Sequence, residues 1–142
     1  MDVCALGRPL DDQSQMRIRL EADAVHLILS HVAASSVNLI VSPAHTVEIE
    51  ANPDSTARDL LLFALQQVGR HPVFDRPEVR RRAEWLARQG LGPADAAHVA
   101  FAEAAGADFV SCDDRLIRQC RRVQISVWVG DPVEYCVKEE LA

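Results

Sequence analysis

At 142 residues, with a formal net charge of −6 and about half of its residues apolar, the chain is sized for one ordinary globular domain and lacks the bulk positive charge of a protein that coats nucleic acid. Its longest apolar runs, such as residues 25–29, fall well short of the roughly 20 residues a membrane span needs, and Asp2 without a basic flank does not read as a signal peptide. Cys4, Cys112, Cys120 and Cys136 show no C-x-x-C spacing and sit mostly in apolar stretches, so they read as small buried hydrophobes in a reduced cytoplasm rather than a disulfide frame or zinc site.

Residues 1–5 are short and apolar around Asp2 and read as the tail of a strand, followed by a loop at Gly7, Arg8 and Pro9. Asp11, Asp12 and Ser14 offer caps for a long helix over residues 13–33, in which Met16, Leu20, Ala24, Leu27 and Ile28 recur at helical spacing. The β-branched run 37–41 reads as a buried strand, and Ser42 and Pro43 open a helix to about residue 51. Asn52, Pro53 and Asp54 break it; Ser55 caps the next helix, over residues 56–68. A short edge strand is expected at residues 71–74, then a Pro-initiated helix over 78–89. Gly90 and Gly92 precede an alanine-rich helix over Pro93–Ala105, which closes at Gly106. Residues 107–112 read as a strand, 115–121 as a short basic helix and 124–129 as a last strand. Asp131 and Pro132 begin a C-terminal turn of helix.

Strands separated by helices, with apolar strands buried on both faces, indicate an α/β domain with a mainly parallel sheet over residues 1–142. The functional cleft of such a sheet lies at the carboxyl ends of its strands, and that rule gathers the acids. The helix over Pro93–Ala105 spans roughly 20 Å, and so does the strand after it, so the reversal at Gly106 returns Asp113 and Asp114 beside Asp95. Asp2 closes the first strand, and Glu48 lies in the helix entered directly after the second. Glu50 competes with Glu48, but the two stand about 200° apart on a helix, so only one can face the cleft.

Carboxylates at 4 Å cost about 4 kcal/mol per pair at an effective dielectric near 20, so protons or a cation must compensate. Oxygen ligands with open positions suit Mg²⁺ or Mn²⁺, and the reaction class that follows is metal-assisted phosphodiester hydrolysis. The chain has no P-loop, no G-x-S-x-G, no H-E-x-x-H and no G-x-G-x-x-G, and its single lysine, Lys138, comes too late to serve a phosphoryl-acceptor site. A glycosidase-type carboxylate pair is formally open, but aromatic-poor loops make a thin sugar platform. His98, one turn from Asp95, reads first as a buried, hydrogen-bonded histidine. Arg115, Arg118, Arg121 and Arg122 follow the last acid closely enough to hold a phosphodiester backbone, and Arg8 in the first loop is a similar candidate.

The segments DVCALGRPLDDQSQMRIRLEADAV, VEIEANPD, PADAAHVAFAEAAGAD and FVSCDDRL together resemble PIN-domain proteins across nearly the whole chain. The resemblance implies a three-layer α/β/α sandwich around a central, mainly parallel five-stranded sheet of order 3-2-1-4-5. It also implies a Mg²⁺- or Mn²⁺-dependent endoribonuclease of the VapC toxin type, cytoplasmic, with RNA as substrate, and allows for an antitoxin partner and a homodimer. Carried over by position, the four acids are Asp2, Glu48, Asp95 and Asp113. Asp2, Asp95 and Asp113 would hold the metal and Glu48 would orient the water, with Ser111 as the hydroxyl before the fourth acid and Asp114 assisting through water. The chain departs from the family's pattern in having Cys4 where many relatives have Asn or Ser, and in having only Met1 ahead of Asp2. Those departures motivate the alternative of a PIN scaffold that binds RNA or a partner without cleaving.

Overall fold

A computed structural model describes residues 1–142. In chain order the elements are α1 (Val3–Gly7), a 3-10 turn (Arg8–Leu10), α2 (Met16–Ala33), β1 (Leu39–Ile40), α3 (Pro43–Glu50), α4 (Ser55–Val68) and β2 (Gly69–Arg70). They continue with α5 (Arg76–Arg88), α6 (Pro93–Ala105), β3 (Phe109–Val110), α7 (Asp114–Val123), β4 (Val129–Gly130) and α8 (Pro132–Lys138). No helix is long and apolar enough to cross a membrane.

The architecture is α/β with parallel pairing only, but the expected five-stranded sheet is not formed. Instead β1 pairs with β2, Leu39 opposite Gly69, and β3 pairs with β4, Phe109 opposite Val129, as two separate pairs. The expected first strand is where the sheet is broken. Asp2 caps α1 with its side chain, and helix begins at Val3, so residues 1–5 add only one backbone bond to β3, from the Asp2 N–H to the Val110 carbonyl at 2.9 Å. The expected edge strand at residues 71–74 is also displaced: the residues that pair are Gly69 and Arg70.

β3 divides the interior. Phe109 packs into a core with Leu86, Val99 and Leu116 from α5, α6 and α7, whereas Val110 packs into a second core with Ile28, Ile49, Leu65 and Tyr135 from α2, α3, α4 and α8. Alternate residues of one strand thus serve opposite layers, as expected of a strand covered on both faces.

Candidate functional site

The local chemistry of helix ends positions most of the acids. Asp113 caps α7, its Oδ1 accepting the N–H groups of Arg115 at 2.8 Å and Leu116 at 3.1 Å. Asp2 does the same for α1, its Oδ1 accepting the Ala5 N–H at 2.9 Å. Asp95 sits in the first turn of α6, where the helix dipole favours a carboxylate. Its side chain folds back over Gly92, so close that a Cβ there would stand 3.2 Å from Asp95 Oδ2.

Ser111 joins two of these acids. It is fully buried, accepts the Asp113 N–H at 3.0 Å, and has its hydroxyl near enough to the Asp2 carboxylate to favour the ionised form. Burial pushes the Asp2 carboxyl above the ordinary range, against the pull of the Ser111 and Ala5 bonds. Asp95 is also raised, by burial first and then by the charges of Asp113, Asp2 and Glu48. The four acids therefore share one electrostatic neighbourhood.

Of the two competing glutamates on α3, Glu48 faces this neighbourhood and Glu50 is exposed. Glu48 Oε2 lies 2.6 Å from Nε2 of the buried His98, and this bond holds the Glu48 carboxyl below its usual range. The His98 ring stands edge-on to His45 at 4.8 Å. The Ser42 N–H can only donate, so His45 Nδ1, 3.0 Å away, accepts, and His45 Nε2–H donates to the Met1 carbonyl at 2.7 Å. Burial keeps His45 neutral, with its pKa pushed down to about 4. His45 had no assigned role in the sequence reading, although Ser42 and His45 carry the i, i+3 spacing of a capping box.

Two other candidates are occupied elsewhere. Asp114 does not join the acid cluster: its carboxylate takes a bidentate bond from Arg17, at 2.6 and 2.5 Å. Arg17 also bonds Glu21, at 2.7 Å, and buried Glu21 faces Arg8 Nε at 2.8 Å, too far out of line for a hydrogen bond. Arg8 further bonds Asp11, so the Arg8 guanidinium is committed to an ion-pair network. By contrast, Arg115 and Arg118 are exposed beside Asp113 and enter no ion pair within 4 Å. The thiol of Cys4 lies against that of Cys112, and all four cysteines are free.

The donor set fits a hard divalent cation: three aspartates and a glutamate supply oxygen only, and their mutual repulsion would be relieved by positive charge. As the side chains stand, no three of the His, Cys, Asp and Glu groups are close enough to hold one ion. The Asp2 and Asp113 carboxylates are turned to their caps and Glu48 to His98.

A family model described as PIN domain matches residues 6–122, a span that contains Glu48, Asp95, Ser111 and Asp113 and begins after Asp2. No curated protein and no solved structure matches the chain.

Proposed function

Because the chain belongs to the PIN domain family, whose members are generally nucleases, we propose that it is a cytoplasmic ribonuclease that hydrolyses RNA phosphodiesters with Mg²⁺ or Mn²⁺. The observation that carries this reading is the gathering of four carboxylates, from α1, α3, α6 and the cap of α7, into one neighbourhood. Asp2, Asp95 and Asp113 would hold the ion directly or through water, and the ion when bound would supply charge stabilisation at the phosphoryl oxygens and lower the pKa of a bound water.

The chain's own residues supply the rest. Glu48, kept ionised by His98 on Oε2, has Oε1 free to accept a hydrogen bond from the attacking water and orient it. Ser111 would hold the loop of the fourth acid through the Asp113 N–H and favour the ionised form of Asp2 beside it. Arg115 and Arg118 hold the RNA backbone, a contact to phosphates that positions the substrate without reading its bases. The same reading allows a toxin role with an antitoxin covering the acids, and a homodimer.

The test is cleavage of end-labelled RNA by the purified chain with Mg²⁺ or Mn²⁺. Wild type should give metal-dependent products, and Asp95→Asn should lose roughly 100-fold or more, in line with removing one charge-stabilising group. Failure of the wild type with both ions, together with an Asp95→Asn variant indistinguishable from it in calorimetric metal titration, refutes the proposal. The second reading, a scaffold that binds without cutting, is favoured by the absence of three side chains already poised around one point. It requires RNA binding that survives Asp95→Asn with no product under either ion.

A further inference from the structure

The four free cysteines differ in what surrounds them. Cys120 is buried in the core with Leu86 and Phe109, and the half-buried Cys136 directs its Sγ at the Ala24 carbonyl, 3.6 Å away. Cys4 is exposed, unlike the small buried hydrophobe its apolar segment suggests, and its thiol lies against that of the buried Cys112.

The backbone builds this meeting. The Asp2 N–H donates to the Val110 carbonyl at 2.9 Å, which sets the chain start alongside the end of β3, and Cys4 and Cys112 each follow two residues later. Short-range bonds hold both segments: Asp2 Oδ1 accepts the Ala5 N–H at 2.9 Å, and Ser111 Oγ accepts the Asp113 N–H at 3.0 Å. One thiol is thus open to a solute and the other is screened from it, with only its neighbour in reach.

We propose that Cys4 and Cys112 form a site of reversible oxidation by hydroperoxides, closing to a disulfide that ties the segment of Asp2 to that of Asp113. The exposed Cys4 sulfur attacks an oxygen of hydrogen peroxide: an S–O bond forms, the O–O bond breaks, and hydroxide leaves and takes up the Cys4 thiol proton as water. The Cys112 sulfur then attacks the Cys4 sulfenic acid. The S–S bond forms, the S–O bond breaks, and the hydroxyl departs with the Cys112 proton as a second water. Two thiols and one peroxide give one disulfide and two waters, with two electrons passing from sulfur to oxygen. A disulfide needs Cβ atoms roughly 4 Å apart and an S–S bond of about 2 Å, which thiols already in contact reach by rotating and by a small closing of α1 on residues 111–113. A dithiol reverses the reaction at the exposed sulfur: it displaces Cys112 from Cys4, then its second thiol releases Cys4 and leaves as a cyclic disulfide.

Two measurements decide it, and neither reads RNA cleavage or metal binding, so the result stands apart from the nuclease reading. The first is mass spectrometric peptide mapping of the purified full chain after one equivalent of hydrogen peroxide. A monomer lighter by about 2 Da, with Cys4 joined to Cys112 and both thiols restored by dithiothreitol, is the expected product. In Cys112→Ser the Cys4 sulfenic acid persists, so dimedone should label Cys4 about 10-fold more than in wild type. A dimer linked through Cys4, a Cys4 sulfinic acid beside a free Cys112, two unreacted thiols, or equal dimedone labelling of the two chains overturns the proposal. The second is hydrogen exchange at the Ala5 amide, which bonds Asp2. It should slow about 10-fold on oxidation and recover with dithiothreitol, because bridged α1 can no longer lift from the end of β3. A mapped bridge that leaves Ala5 exchange unchanged overturns the tie between the two acids' segments.

Discussion

The Asp95 carboxylate is held against its own preference. Burial and the charges of Asp113, Asp2 and Glu48 raise its pKa, so between the unfolded and folded values the native state binds the extra proton, and stability falls as pH rises through that window. At neutral pH without metal, the ionised group is a net cost. Asp95→Asn should therefore unfold at a higher temperature than wild type in EDTA at pH 7. Mn²⁺ should raise the melting temperature of wild type and leave the variant unchanged. His45 works in the opposite direction. Its folded pKa of about 4 lies below the unfolded value of 6.5, so its contribution is complete above pH 6.5 and is lost as pH falls toward 4. The shift corresponds to about 3 kcal/mol as an upper figure. Urea midpoints of wild type and His45→Gln, compared from pH 7 to pH 4, should converge as the pH falls, and a constant gap contradicts this assignment.

Two glycines separate backbone conformation from packing at the level of elements. Gly106 ends α6 at φ 60°, and a Cβ there meets nothing within 4 Å, so Gly106→Ala should cost about 1 kcal/mol, through the left-handed conformation alone. Gly69 has an ordinary φ, but a Cβ would stand 2.4 Å from both the Leu65 carbonyl oxygen and Val41 Cγ2, where β2 leaves α4 and pairs with β1. The carbonyl cannot step aside without unwinding the end of the helix, so Gly69→Ala should cost about 2–3 kcal/mol in urea unfolding. Equal costs at the two sites contradict the packing argument. The end of α6 was legible because Pro93 and Gly106 act within one turn of where they sit. The start of α4 moved only from Ser55 to the adjacent cap Asp54. Strands were legible as regions but not as extents, because pairing depends on a distant partner: Gly69 and Arg70 pair where β1 passes, while His71 to Phe74 find none. At the N-terminus the Asp2 cap starts a helix at once, which periodicity in so short a segment does not reveal. Of the site, the acids were legible through topology, whereas the diversion of Asp114 to Arg17 and of Arg8 to Glu21 depends on α2 crossing nearby.

In the whole molecule, the acids gather where the two half-sheets meet. Asp95 and Asp113 belong to the half that carries β3 and β4, and Glu48 follows β1 in the other half. Asp2 bridges them, docked to Val110 by its backbone with its side chain capping the Ala5 N–H beside Ser111, yet it lies ahead of the span matched to the family. On the proposed reading, the net charge of −6 would keep bulk attraction to RNA weak and leave local contact to exposed arginines such as Arg115 and Arg118. The most direct measurement is anomalous scattering from a crystal soaked in Mn²⁺. The account predicts a peak coordinated, directly or through one water, by Asp2, Asp95 and Asp113, with Glu48 facing a metal-bound water. A soaked crystal with no peak among these four acids, or a peak held by other residues, contradicts it.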